Sequence, residues 1–114
     1  MAIGIQRELL DEDATLGEIV RRIGDAYHPL KIYLFGSKAR GDAGPDSDYD
    51  LLVVVPDDVP PELRKSRLAY ESLWSLGAAA DVLICTEHWF RSRSSVVSSL
   101  PATVMREGKL LYAG

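Results

Sequence analysis

A single cysteine, Cys85, leaves this 114-residue chain no internal disulfide. That scarcity fits a reducing compartment, and a cytoplasmic protein is the expectation. Long apolar runs are also missing. The longest, Leu51 to Val55, falls far short of the roughly 20 residues that a membrane-spanning helix needs. No basic segment leads into an apolar one at the N-terminus, so no signal peptide is expected. With only two histidines, His28 and His88, and the lone cysteine, no spacing supports a zinc centre. The histidines read as structural or solvent-facing, and Cys85 as a small buried hydrophobe. Basic residues are outnumbered, 13 against 17 acidic, for a net charge of −4. A general nucleic-acid binder is therefore not expected, because neutralising a phosphate backbone takes a basic face.

What remains is an ordinary globular composition, just under half apolar. The length predicts one domain over residues 1–114, with no room for a separate substrate domain. Met1 to Glu12 reads as a polar lead-in or a short helical arm. Thr15-x-x-Glu18 has the form of a capping box. Leu16, Ile19, Val20, Ile23 and Tyr27 then recur at helical spacing. His28-Pro29 ends that helix, because the residue before proline is pushed out of the helical region. Lys31 to Phe35 predicts a strand, and Gly36 to Asp46 a turn, a short helical piece and a loop.

Asp48 to Val55 is the strongest strand signal, its apolar half implying burial on both faces. A helix is predicted from Pro61 to Leu76, with Leu63, Leu68, Tyr70, Leu73, Trp74 and Leu76 as core and Gly77 as terminator. Asp81 to Cys85 predicts a third strand, and Thr86 caps a helix from Glu87 that carries Trp89 and Phe90. The serine-rich stretch Arg91 to Ser99 is ambiguous. A last helix ends at Gly108, and Lys109 to Tyr112 predicts an edge strand. Alternating strands and helices give an α/β or mixed-sheet α+β sandwich.

The chemistry concentrates between Phe35 and Val55. A Gly36-Ser37 turn precedes Asp48 and Asp50 by a ten-residue gap, and the two aspartates open the apolar strand. Alternation along a strand points Asp48 and Asp50 one way and Tyr49 the other. Paired carboxylates repel unless a cation neutralises them, which suggests a divalent metal. The turn suggests what that metal holds. Gly36 permits close backbone approach, Ser37 adds a hydroxyl, and N–H groups after the turn can converge on an anion. Lys38 and Arg40 add positive charge nearby.

The sequence Gly-x-x-x-x-Gly-Lys-Ser/Thr is absent, so this is no P-loop. Phe35 in the first glycine position also excludes a Gly-x-Ser-x-Gly elbow. With Asp48 and Asp50 as ligands, one or two Mg²⁺ ions would bridge the carboxylates and a nucleoside triphosphate. Asp81, opening the next strand, is the candidate third acid, beside the attacking hydroxyl; a turn or cap role is its alternative. Arg40 is read as a phosphate contact or as the partner of a nearby carboxylate, and Ser47 as a substrate contact or a loop cap.

Gly-Ser-Lys-Ala-Arg-Gly followed by Ser-Asp-Tyr-Asp-Leu resembles the signature of the DNA polymerase β-type nucleotidyltransferase superfamily, in its minimal nucleotidyltransferase branch. The closing Arg-Glu-Gly-x-x-x-Tyr stretch, Arg106 to Tyr112, is similar too, so the likeness spans nearly the whole chain. The resemblance implies a mixed sheet flanked by helices. It also implies transfer of a nucleoside monophosphate to an acceptor hydroxyl, with pyrophosphate leaving.

By position, Gly36, Ser37, Arg40 and Ser47 would serve the nucleotide, and Asp48, Asp50 and Asp81 the metals and the catalysis. Many members of this branch are antitoxins encoded beside a HEPN-domain toxin, and some adenylylate a tyrosine of that toxin with ATP. The resemblance therefore implies the antitoxin of a type VII-like pair. Two other functions stay open. One is a stoichiometric antitoxin that acts by binding alone, in which the basic helix of Arg64, Lys65 and Arg67 and the serine-rich Arg91 to Ser99 region would matter more than the aspartates. The other is transfer to a small molecule such as an antibiotic, against which the missing acceptor domain counts.

Overall fold

The run Leu51–Val55 forms the middle of the protein, every one of its side chains buried. It belongs to the second of four strands among the described residues: β1 (Lys31–Phe35), β2 (Tyr49–Val55), β3 (Ala80–Thr86) and β4 (Lys109–Ala113). The computed structural model describes residues 4–44 and 47–114. Pro45 and Asp46, the end of the loop expected after Gly36, lie outside the described residues. The sheet order is β3-β2-β1-β4. β1 runs antiparallel to β2 and β4, whereas β2 and β3 are parallel. The expected mixed sheet with helices is thus observed, with β4 at one edge and β3 at the other.

Among the described residues six α-helices surround it: α1 (Arg7–Glu12), α2 (Ala14–Tyr27), α3 (Gly36–Arg40), α4 (Arg67–Leu73), α5 (Glu87–Arg93) and α6 (Leu100–Glu107). The apolar stripe of α2 is buried as its spacing requires. It packs with Ala69 and Leu73 of α4 on Ile32, Leu34, Leu51, Val53 and Val82. The opposite face carries a smaller cluster, in which Tyr33, Leu52, Val54 and Leu110 meet Phe90 of α5 and Val104 of α6. The Tyr33 and Phe90 rings stack there, centroids 5.5 Å apart. Full burial of such side chains contributes roughly 1.5–3 kcal/mol each. Among the described residues, no helix is long and apolar enough to cross a membrane.

Several expectations need correction. The cap of α2 is Asp13, whose carboxylate accepts the Leu16 N–H at 3.0 Å. Thr15 lies inside the helix. Glu18 instead binds Arg21 and Arg22, whose hydrogen bonds, Arg21 first, hold its carboxyl down at about 2. His28 closes α2 in the left-handed region, at φ 46. The single helix expected over Pro61–Leu76 is broken. A 3-10 turn, Pro61–Arg64, stops at an extended Lys65, and α4 runs only to Leu73 before a second 3-10 turn, Trp74–Leu76. Gly77, at φ 73, ends the segment as expected. Trp74 is not core but 87% exposed. Ala69 and Leu73 define the buried side of α4, and each next residue is turned about 100° away from it. Thr86 does cap α5, accepting the Trp89 N–H at 3.2 Å.

Candidate active site

The two core clusters decide which side of the sheet carries the acids. Leu51 and Val53 face α2, so alternation turns Asp50 and Leu52 toward the α5–α6 side. Val82 also faces α2, which puts Asp81 on the same side as Asp50. Asp50 and Asp81 are direct register partners across the parallel β2–β3 pair. Strand β2 begins at Tyr49 rather than Asp48, so Asp48 sits one residue ahead of it, exposed. Tyr49 points to the other side, as alternation requires. Its hydroxyl donates to Asp13 at 2.8 Å, and burial followed by that acid pushes its pKa up to about 12.

Across the antiparallel pair, Asp50 lies opposite Phe35, the last residue of β1. Gly36 then turns into α3 at φ 73. A Cβ on Gly36 would collide with the Asp50 carboxylate, so glycine meets two demands here: the left-handed backbone and the close approach. The capping residue of α3 is Phe35, which has no side-chain acceptor, so the first-turn N–H groups are left without a side-chain cap.

Asp50 is held above the usual carboxylate range. Burial is the first cause, then the charges of Asp81 and Asp48, with Arg40 pulling the other way. Asp50 therefore senses both of the other acids. Among the described residues, however, no three His, Cys, Asp or Glu side chains are gathered into a group that could hold a metal ion. Like charges keep carboxylates apart, and Asp81 is engaged elsewhere, by the Tyr70 hydroxyl at 3.3 Å. The donor chemistry fits magnesium. All three side chains offer hard carboxylate oxygen, and magnesium takes few protein ligands when phosphates and waters complete its shell.

The remaining predicted residues separate. Arg40 pairs with Asp42 at 3.3 Å and Glu107 at 3.8 Å, the carboxylate-partner alternative, while its charge still reaches Asp50. Ser47 closes the loop, accepting the Gly44 N–H at 3.0 Å. Lys38 is spent on the Tyr49 ring, its Nζ 4.4 Å from the centroid, and so lies away from the acids. Cys85 is half-buried, its thiol pushed up to about 12 by burial, which makes it inert. On the acids' face an open apolar groove of about 460 Å³ runs past Leu52, Leu83, Cys85, Trp89 and Leu100.

Two partners were not foreseen. Asp13 could have been, since an aspartate directly before an apolar periodic run is a cap signal. Tyr70 could not. Its spacing predicts a core position, and its contact with Asp81 comes from packing at the sheet edge.

Comparison with known proteins places these residues in context. The family described as Nucleotidyltransferase domain matches residues 15–106, a span holding the Gly36 turn and all three acids. A Methanocaldococcus jannaschii protein named "Putative protein adenylyltransferase" is 30% identical over 105 residues, covering 90% of this chain and 100% of that protein. A crystal structure of a toxin-antitoxin with AMP-PNP superposes with a TM-score of 0.60 at 27% identity, over 86% of this chain and 73% of that one. A mutant of the MntA toxin-antitoxin complex superposes with a TM-score of 0.59 at 25% identity, over 86% and 73%. In that mutant two aspartates, two residues apart, are changed to glutamate.

Proposed function

The chain belongs to the nucleotidyltransferase domain family and is a nucleotidyltransferase; on that premise we propose that it moves AMP from ATP to a protein hydroxyl, a tyrosine of a cognate HEPN toxin, and so acts as the antitoxin of a type VII-like pair. The observation that carries this reading is the in-register Asp50–Asp81 pair set against the Gly36 turn. The toxin-antitoxin structures that share this fold support the partner, and one contains a nucleotide analogue. The Asp48-x-Asp50 spacing equals that of the paired aspartates changed in the mutant complex.

In this reading Gly36 and Ser37 present backbone N–H groups and a hydroxyl to the triphosphate. Asp48, Asp50 and Asp81 would hold Mg²⁺. When bound, the metal supplies Lewis-acid stabilisation of charge on the phosphoryl oxygens. Asp50, raised by burial and by like charge, is the carboxylate that gains most from a neighbouring cation. Asp81, on the outer strand, faces the incoming hydroxyl and accepts its proton. The acceptor oxygen bonds to the α-phosphorus, the bridge to the β-phosphate breaks, and pyrophosphate leaves. Arg40 tempers the acidic charge from its ion pairs, and Ser47 holds the loop that delivers Asp48.

The test uses the product of the adjacent gene with labelled ATP and Mg²⁺. Label on a tyrosine of that product, lost together with neutralisation in Asp48→Asn, is the expected result. No label with either protein, while toxicity is still blocked, would sink the catalytic reading in favour of a binding antitoxin. The exposed Trp74, which lines an open pocket with the basic residue Arg67, is the observation favouring that second reading.

A further inference from the structure

We propose that Tyr70 is a self-modification site, an internal acceptor for the chain's own nucleotidyl transfer; this rests on the transferase reading above. Tyr70 lies on α4, which packs against the face of the sheet opposite the acids. Its neighbour Ala69 is fully buried there, so Tyr70 is turned outward and reaches past the outer strand, β3. The hydroxyl accepts the Val82 N–H at 3.1 Å and donates to Asp81 Oδ1 at 3.3 Å. The phenol therefore already makes the contact that an acceptor hydroxyl needs, a hydrogen bond to the third acid. The bond is slightly long, as such bonds often are before a substrate binds. Tyr70 is 42% exposed, and Asp81, which its hydroxyl contacts, is the register partner of Asp50. Chemically it is the same phenol class as the proposed outside acceptor.

The transfer balances without any redox partner. The Tyr70 oxygen bonds to the α-phosphorus of ATP, the oxygen bridge between the α- and β-phosphorus breaks, and pyrophosphate leaves. The phenolic proton passes to the Asp81 carboxylate and on to water. Once modified, Tyr70 no longer donates to Asp81, and its AMP stands where an outside hydroxyl would approach. Self-transfer thus slows transfer to a partner, and a bound partner suppresses self-transfer.

The test incubates the whole chain with ATP and Mg²⁺ alone and maps adducts by peptide mass spectrometry. AMP on Tyr70 is expected, absent in Tyr70→Phe and in Asp50→Asn, both checked for cooperative thermal unfolding. Adding the adjacent-gene product should lower the Tyr70 label several-fold. The same wild-type preparation is assayed for label on that product. A labelled partner beside an unmodified Tyr70 overturns this proposal and leaves the transferase reading intact. No label on either removes both, and label confined to another tyrosine of the chain overturns self-transfer at Tyr70.

Discussion

The two faces of the sheet are built for different ends. On one, α2 and α4 close a large cluster in which Ile19, Ile23 and Leu51 have no accessible surface. On the other, α5 and α6 cover a smaller cluster, and the strands run out into Asp50, Asp81 and an open groove. β2 supplies both faces from one run, Leu51 and Val53 to the first, Asp50 and Leu52 to the second. Stability therefore resides mainly on the α2 side, which leaves the α5 side free to carry like charges that cost stability. A site of mutually repelling carboxylates is tolerable because the strand beneath it is anchored from behind.

Four substitutions break or sharpen this contrast. Asp50→Asn should have the largest effect on activity, a loss of about a thousandfold or more in transfer, or about 4 kcal/mol of transition-state stabilisation. Its effect on the metal-free fold should run the opposite way. The Asp50 pKa is raised in the folded state, so its ionised form weighs against folding: stability is full below the unfolded pKa and lost as pH rises through the folded one. Thermal scans at neutral pH should show the variant more stable than wild type, with the gain vanishing below the usual carboxylate range. A variant less stable at pH 7 would show that Asp50 supports the fold.

Ile23→Ala, on the opposite face, should cost about 2–5 kcal/mol in denaturant unfolding, because it empties a fully buried site. Transfer measured on the still-folded fraction should be nearly unchanged. Gly36→Ala should affect both faces of the account. The left-handed backbone alone costs about 1–2 kcal/mol, and the added methyl displaces the Asp50 carboxylate, so activity should fall further than stability. Leu83→Ala should be the mildest, within about 0.5 kcal/mol, since Leu83 is 42% exposed in the groove. A cost near that of Ile23→Ala would mean the two faces share the load.

The sequence made the α2 face legible because periodicity reports burial directly. Every member of the Leu16–Tyr27 stripe is in the core, and β1, β2 and β3 fall within a residue of expectation at each end. Gly36 and Asp50 were legible for a different reason: they lie close in the chain, and turn chemistry and alternation set the turn against the strand, whereas Asp48 lies one residue outside β2, where alternation does not fix its direction. Asp81 needed the parallel register, which only the sheet supplies. The segment from Pro61 to Gly77 was misread because helical spacing of apolar residues does not reveal an extended residue such as Lys65 in its middle. Tyr70 and Trp74 were lost with it, since their exposure follows from how little of α4 faces the core. Arg40 and Ser47 had two open readings, and the contacts they make, an ion pair and a loop closure, run to partners distant or local that composition does not specify.

In the proposed reaction the α5-side carboxylates pass the α-phosphorus of ATP, with its nucleoside, to a hydroxyl. The most direct measurement compares ATP labelled at the α-phosphate with ATP labelled at the γ-phosphate, in the presence of Mg²⁺ and the adjacent-gene product, for wild type and Asp50→Asn. Label on protein from the α-position only, absent in Asp50→Asn, is the predicted result. Label arriving from the γ-position, or α-label undiminished in Asp50→Asn, would contradict it.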